Sequence, residues 1–319
     1  DFGGTKNTAG VLDADSLQWQ ARQHVFSPAN ADASYDLETM LSLARRLLAG
    51  SRPAAIGVSF GGPVDAERNS VRLSHHVPGW ENTPLGEILN AEFGAPVKVD
   101  NDANVAALGE GRYGAGRGFR HIFYITVSTG VGGGWLLDGQ IWRGNDSMAG
   151  EIGHTVVQPD GPLCLCGKRG CVERLASGRY MAQDARQRLL EEPGAGPILW
   201  REFSSNLEAL DGKAISQAAN QGDPLAIHLL ERSAWALGVG IGNAANLINP
   251  QRFILGGGVS KAGAVWWDML RKTARQIALP EVHFDILPAA LGDAAPLWGA
   301  AALALELLRI QTAYDFDAW

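Results

Sequence analysis

The chain is short of cysteine, of clustered basic residues and of long apolar runs, and each shortage excludes a class of protein. Its three cysteines all fall within residues 164–171, which makes a disulfide framework a poor explanation and favours a reducing, cytoplasmic location. Lys and Arg number 27 against 34 Asp and Glu, without a basic run, so no nucleic-acid partner is predicted. The most apolar stretch, 224–249, is interrupted by charged and amide residues and predicts a buried helix, not a membrane span.

Glycine, by contrast, is abundant, at 40 of 319 residues, and several glycine clusters follow short β-like runs. Four such runs alternate with six segments of helical periodicity, a pattern typical of α/β layers. The length predicts two domains.

Residues 191–212 include Pro193, Gly194 and Gly196 and predict a surface excursion. The predicted strands are 54–60, 97–99, 122–128 and 252–255, and the predicted helices are 37–48, 84–91, 178–190, 224–247, 264–279 and 296–308.

Three glycine-rich turns are candidates for nucleotide contacts. Asp-Phe-Gly-Gly-Thr-Lys at 1–6 and Ser-Thr-Gly-Val-Gly-Gly-Gly at 128–134 let the backbone approach phosphates, and Asp1 can hold Mg²⁺ or its waters. The third turn, at 256–258, suits a flat adenine ring. The sequence contains neither a Walker loop nor a dinucleotide fingerprint, and a structural turn is the alternative in each case. The predicted nucleotide contacts are Asp1, Gly3, Gly4, Thr5, Lys6, Thr129, Gly130, Gly132, Gly133, Gly256, Gly257 and Gly258.

Four polar residues cluster at the end of the strand predicted at 97: Asp100, Asn101, Asp102 and Asn104. Carboxylate and amide groups at a strand end can hold vicinal hydroxyls, and a carboxylate can accept a hydroxyl proton as a general base. Asp and Asn also cap helices, and a helix is expected here. We therefore assign Asn101 and Asp102 to ligand contacts, and Asp100 and Asn104 to local structure.

The most specific motif is a set of one histidine and three cysteines. His154 is followed by Cys164, Cys166 and Cys171, and glycines between them supply the turns needed to surround a small ion. One imidazole and three thiolates form a closed tetrahedral zinc set, which leaves no coordination position for catalysis. The sequence therefore predicts a structural Zn²⁺ site, with three unrelated thiols as the alternative.

These motifs together resemble the ROK family, whose name stands for repressors, open reading frames and sugar kinases. The resemblance implies an α/β protein with a two-lobed, actin/hexokinase-like (ribonuclease H-like) ATPase fold, whose central cleft closes over ATP, Mg²⁺ and a hexose. Gly61 departs from the pattern, because many relatives carry proline there. The resemblance covers residues 1–308 and is also carried by 57–65, 77–80, 151–154 and 249–258.

Residue roles follow from the resemblance, motif by motif. It implies that Asp102 is the general base and that the protein forms a homodimer or a dimer of dimers. The matching glycine turns at 1–6 and 126–134 predict two related halves, a small lobe at 1–103 plus 297–319 and a large lobe at 104–296. The implied sugar contacts are Gly62, Asn101, Asp102, Glu151, His154 and Glu173, with His154 also ligating zinc.

Several functions are compatible with these residues. A glucokinase acting on the 6-hydroxyl of glucose is the first hypothesis, followed by an N-acetylmannosamine or N-acetylglucosamine kinase and a fructokinase. A sugar-responsive ROK regulator with a winged helix ahead of Asp1, or a sugar-sensing scaffold, would use the same residues without turnover. The intact turn at 1–6 favours a kinase. That turn should follow a strand, so the residues ahead of Asp1 would distinguish a kinase from a regulator. A strand there would indicate a kinase, and a helix-turn-helix would indicate a regulator.

Overall fold

The computed structural model of the chain describes residues 1–4, 6–74 and 77–316, with the backbone alone for 310–316. Thr5, one of the predicted nucleotide contacts, lies outside the described residues. The chain divides into two compact units. The first comprises Asp1–Gly118, Gly134–Ala149 and Asp293–Trp319, and the second comprises Phe119–Gly133 and Gly150–Gly292.

Strands and helices alternate along most of the chain, as expected for an α/β protein. The strands are β1 (Lys6–Leu12), β2 (Trp19–Phe26), β3 (Ile56–Phe60), β4 (Val64–Asp65), β5 (Ser70–Val71), β6 (Val97–Asn101), β7 (Ile122–Val127), β8 (Val131–Leu137), β9 (Gln140–Trp142), β10 (Arg252–Gly256) and β11 (Asp285–Pro288). The helices are α1 (Ala33–Leu48), α2 (Leu85–Phe93), α3 (Asp102–Tyr113), α4 (Val172–Ala176), α5 (Gly178–Glu191), α6 (Pro197–Phe203), α7 (Gly212–Asn220), α8 (Pro224–Ile248), α9 (Ala264–Ile277) and α10 (Ala295–Phe316).

Two strand pairs and an aromatic cluster organise the first unit. β1 pairs antiparallel with β2, and β3 pairs parallel with β6. The rings of Phe2 and Phe60 each meet Trp80 edge-on, with centroids 5.4 and 4.9 Å away, and Trp80 is 1% exposed. Edge-to-face packing of buried rings fixes relative orientation. The cluster therefore holds the turn that follows Phe2 next to the end of β3.

The second unit is built on parallel strands. β10 lies between β7 and β11, with Arg252 opposite both Ile122 and Asp285, so the three strands end at the same edge of the sheet. β8 is the next strand beyond β7. The turns that follow β7 and β10 therefore emerge side by side, which is where ligand sites of α/β sheets form.

Helix α8 is the longest apolar element of the second unit. The Asp223 side chain caps it by accepting from the N–H of Ala226, and Asn249 ends it in the left-handed conformation with φ 53°. A β-carbon on its Gly242 would lie 2.5 Å from the β-carbon of Ile277, so glycine is needed for α9 to pack this closely. No described helix, α8 included, is long and apolar enough to cross a membrane.

The structure agrees with most predicted elements and corrects others. Every predicted strand and helix is present, with ends displaced by up to eight residues, whereas the hairpin of β1 and β2 was missed, as were several shorter elements. The predicted surface excursion at 191–212 is only partly one, because it contains α6 and fully buries Leu199 and Leu210. The predicted boundary at residue 103 would cut α3, which packs against α10 and is grouped with the first unit.

Candidate functional site

Asn101 connects the end of β6 to the start of α3. Its Oδ1 accepts from the backbone N–H groups of Ala103, at 3.0 Å, and Asn104, at 3.4 Å, so Asn101 is the helix cap. Its Nδ2 donates to the carbonyl of Gly62 at 3.1 Å. The sequence assigned Asn101 to ligand alone. In the structure its amide also holds the Gly62 backbone against the start of α3, and the ligand contact stays a prediction.

Asp102 is the first residue of α3 and is partly buried. Its Oδ1 accepts from the N–H of Ala103 at 2.8 Å, and its Oδ2 lies 3.8 Å from where a β-carbon of Gly61 would stand. A helix N-terminus stabilises negative charge, so this position favours a carboxylate. The structure thus brings together Gly62, Asn101 and Asp102, the sugar contacts implied for the first unit.

Asp100, by contrast, is fully engaged in a buried ion pair. It is 1% exposed, and its Oδ2 lies 2.7 Å from Nε and 2.6 Å from Nη2 of Arg143. Its Oδ1 accepts from the N–H of Asn101 at 2.8 Å and from Nδ2 of Asn104 at 3.1 Å. Both Asp100 and Asn104 therefore have the local structural role expected from the sequence. Asp100 is committed to these partners and cannot readily accept a substrate proton.

Replacing Arg143 by leucine should destabilise the protein by about 2–4 kcal/mol, because the buried Asp100 carboxylate would lose its partner. We place the value slightly below that for a fully buried pair because the Arg143 side chain is 29% exposed. Urea unfolding measures the change. Arg112→Leu is the matched control: its pair with Glu306 spans 3.1 Å but is exposed, so it should cost less than about 1 kcal/mol. Equal losses in the two variants would contradict a special role for Arg143.

The turn at 1–6 is a tight connection between Phe2 and β1. The N–H of Gly3 donates to the carbonyl of Lys6 at 3.2 Å, and a β-carbon on Gly3 would lie 2.8 Å from that oxygen. Glycine is therefore required to close the turn. The structural turn considered as the alternative for this motif is thus present, and the nucleotide contacts of the motif stay a prediction.

A polar cavity of about 360 Å³ lies beside this turn. Asp1 and Lys6 line it together with Arg22 and His24 of β2. Lys6 and Arg22 place positive charge beside the glycine turn, next to the carboxylates of Asp1 and Asp293, and positive charge there can bind an anion. The contribution of β2 was missed from the sequence, because its two basic residues stand in a polar stretch without a recognisable motif.

The second glycine motif is split between a turn and a strand. The turn spans 128–130, whereas Gly132 and Gly133 lie in β8, so the sequence was wrong to place them in a loop. The Ser128 carbonyl accepts from the N–H of Gly178 at 2.8 Å, at the start of α5. The sequence did not identify Gly178 as part of this site, although its backbone lies directly against the turn after β7.

The third glycine motif lies next to that turn. Gly257 has φ 84°, and a β-carbon there would lie 2.3 Å from the carbonyl of Val127, the last residue of β7. Gly258 has no heavy atom within 4 Å of its β-carbon position. The backbone after β10 is therefore close to that after β7, with open space beside Gly258. This open space leaves room for the flat adenine ring predicted from the sequence, and that contact stays a prediction.

The start of β8 brings together Glu151, His154 and Glu173. Oε2 of Glu173 accepts from the N–H of Val131 at 2.9 Å. Gly153 packs so closely that a β-carbon there would lie 2.1 Å from the carbonyl of Val131. The segment with Glu151 and His154 and the carboxylate of Glu173 are thus held by the same strand residue. These are the sugar contacts implied for the second unit.

The donor atoms of His154, Cys164, Cys166 and Cys171 lie within 4.8 Å of one another. The Sγ atoms of Cys166 and Cys171 are 3.5 Å apart, close to the edge of about 3.7 Å expected for a tetrahedron with Zn–S bonds of about 2.3 Å. A hairpin positions the thiols, since the Cys164 N–H donates to the carbonyl of Lys168 at 2.8 Å. The predicted ligand set therefore exists as one cluster.

Two further features of the cluster fit a metal ion. Nδ1 of His154 is buried and has no hydrogen-bond partner among the described residues, which a metal ion would remedy. Burial first, and the hydrogen bond shared with Cys166 second, raise the pKa of the Cys171 thiol to about 12. A bound cation would oppose this by favouring the thiolate.

Parallel strands, glycine turns at their ends and a carboxylate at a strand–helix junction are features that this α/β chain shares with the actin/hexokinase-like class. The ROK family model matches residues 1–307, and the chain belongs to the ROK family. It is 36% identical over 309 residues to the glucokinase of Streptomyces coelicolor, covering 96% of each chain. It is 32% identical over 304 residues to the N-acetylmannosamine kinase of Salmonella paratyphi A, covering 95% of this chain and 96% of that one.

A solved structure shows the same fold. The crystal structure of a ROK family glucokinase from Streptomyces griseus, in complex with glucose and AMPPNP, matches with a TM-score of 0.81. The two sequences are 37% identical, and the match covers 96% of this chain and 97% of that chain. The fold class expected from the sequence is therefore confirmed.

Proposed function

We propose that this chain is an ATP-dependent hexose kinase that phosphorylates the 6-hydroxyl of glucose. The observation that carries the proposal is the position of Asp102 at the first residue of α3, while Asp100, two residues earlier, is ion-paired with Arg143. This arrangement distinguishes a carboxylate suited to accept a proton from one used for structure. The similarity to glucokinases over nearly the full length supports glucose as the sugar.

In the proposed reaction, Asp102 accepts the proton of the sugar hydroxyl while that oxygen forms a bond to the γ-phosphorus. The bond from the γ-phosphorus to the bridging oxygen breaks, and ADP leaves. Bound Mg²⁺, which Asp1 would hold, supplies charge neutralisation on the phosphates. Catalysis then depends chiefly on positioning, because phosphoryl transfer asks for little covalent chemistry from the protein.

The ligand contacts divide by chemistry. We propose that Gly62, Asn101, Glu151, His154 and Glu173, with Asp102, bind the sugar hydroxyls. The turn at 1–6 and residues 129 and 130 would contact phosphates through backbone N–H groups, and 256–258 would lie against adenine. We leave Gly132 and Gly133 out of this set, because backbone groups inside a strand are directed at its neighbours.

Glucose should have the highest kcat/KM in a panel with N-acetylmannosamine, N-acetylglucosamine and fructose, measured by coupled ADP release. A site that pairs each hydroxyl rejects analogues whose groups leave its polar atoms unpaired. An N-acetylmannosamine kinase is the second candidate, supported by the 32% identity to such an enzyme. An advantage of about tenfold or more for an acetylated sugar would replace glucose as the substrate. A lack of turnover with every sugar would favour a regulator.

A further inference from the structure

Tyr180 lies beside the cysteine hairpin (residues 163–171), in the first turn of α5. Its side chain is buried at 5% exposure, and its hydroxyl oxygen accepts from the backbone N–H of Leu165 at 3.0 Å. Leu165 stands between Cys164 and Cys166, two of the predicted zinc ligands. A phenol group on a neighbouring helix therefore reaches into the hairpin that carries the three thiols.

The same hydroxyl also contacts one of these thiols. It hydrogen-bonds the side chain of Cys164, which is 2% exposed. A phenol can donate one hydrogen bond while it accepts another. A thiolate, the form in which cysteine binds a metal ion, can only accept. In the metal-binding form of the hairpin, therefore, the O–H of Tyr180 is the donor and the sulfur of Cys164 is the acceptor.

An ion-pair cluster fixes the ring of Tyr180. The guanidinium of Arg174, in α4, lies over the ring at 4.6 Å from its centroid. Asp184 of α5 holds this guanidinium through two hydrogen bonds of 2.8 Å each. Arg232 of α8 binds the same carboxylate at 2.6 Å. Because three helices contribute to this cluster and a cation covers the ring, the hydroxyl has little freedom to leave the hairpin.

The charge of the predicted zinc site requires donors of this kind. Three thiolates and a neutral imidazole around Zn²⁺ leave one surplus negative charge, and both Cys164 and Cys171 are buried. Buried negative charge is costly unless hydrogen bonds or nearby cations offset it. The hydroxyl of Tyr180 supplies a hydrogen bond to one sulfur, and the guanidinium of Arg174 places positive charge on the face of the same ring.

We propose that Tyr180 is a positioning residue of the cysteine hairpin, whose hydroxyl holds the Leu165 backbone, donates to the Cys164 thiolate and thereby strengthens the retention of zinc. The inference rests on the zinc ligand set predicted for this chain and adds a residue outside that set. Removing a group that orients a metal ligand typically lowers metal affinity by about 10–100-fold. We expect the lower end of this range, because the four ligands themselves stay in place.

Tyr180→Phe tests the proposal, since it removes the hydroxyl and keeps the ring under Arg174. Its affinity for Zn²⁺, measured by competition with a chromophoric chelator, should fall about tenfold relative to the original chain. Tyr113→Phe is the matched control, because it removes the same group from a half-buried tyrosine of the first unit and should leave the Zn²⁺ affinity unchanged. Neither measurement uses sugar turnover, so the result does not depend on the proposed kinase activity.

Cobalt spectroscopy distinguishes a hydrogen bond to sulfur from a general loosening of the fold. A thiolate that loses an O–H donor becomes a stronger electron donor to its metal ion. In chains loaded with Co²⁺, the thiolate-to-cobalt charge-transfer band should therefore move to longer wavelength in Tyr180→Phe and stay in place in Tyr113→Phe. An unchanged Zn²⁺ affinity in Tyr180→Phe would overturn the proposal. A lower affinity with an unshifted band would also overturn it, as would an original chain that binds no Zn²⁺.

Discussion

Replacing Asp102 by asparagine is expected to lower kcat by about 10²–10⁴-fold, because the amide cannot accept the hydroxyl proton. Asparagine is well tolerated at the start of a helix and retains an oxygen for the N–H of Ala103, so the fold should be unaffected. The KM for glucose should change far less than kcat, since hydrogen bonding to the sugar is largely preserved. Steady-state kinetics with ADP detection measures both.

Asp65→Asn serves as the control for removing a carboxylate from the first unit. Its partners are the exposed side chains of Arg68 and Arg72, and its removal should leave kcat within about twofold. If Asp102→Asn kept kcat within about threefold of the original chain, Asp102 would not be the base. Asp100 would be a poor replacement, because Arg143 already occupies its carboxylate.

Local patterns were the most informative part of the sequence. The four predicted zinc ligands lie within 18 residues of one another, and turns at Gly167 and Gly170, with φ 85° and 64°, bring the thiols together. Such a hairpin depends little on distant contacts, so spacing alone predicts it. Buried helices such as α8 were equally clear, since apolar periodicity and a cap at Asp223 mark them.

Contacts between distant residues could not be predicted. Arg143 and Asp100 are 43 positions apart, and nothing near Arg143 marks it as the partner of a buried carboxylate. β2 escaped detection because most of its residues are exposed or half-buried, which removes the apolar alternation that signals a strand.

The glycines of β8 led the sequence analysis to predict a turn where the structure has a strand. A β-carbon on its Gly134 would lie 2.4 Å from the carbonyl of Ala103, so this strand uses glycine to let α3 approach. Close packing and tight turns both require glycine, and composition alone cannot separate them. The same run therefore looked like a phosphate loop throughout, although only its first three residues form a turn.

Replacing Cys166 by serine is expected to lower the zinc content from about one ion per chain to near zero and to reduce kcat/KM for glucose by at least about 100-fold. The predicted ligand Cys171 directly precedes α4, which carries Glu173, and His154 is itself a proposed sugar contact. Losing the ion would release both groups from their fixed positions. Elemental analysis and steady-state kinetics measure the two effects.

Leu165→Ser separates loss of the metal from damage to the hairpin. Leu165 stands between two ligands and is 72% exposed, so this change adds the same hydroxyl to the same turn without removing a donor. Zinc content and kcat/KM should stay close to those of the original chain. Because a structural ion acts by holding its ligands, chelation of the original chain should reproduce the Cys166→Ser defect, and added zinc should reverse it. Full activity in a metal-free preparation would show that the cluster holds Glu173 and His154 without an ion.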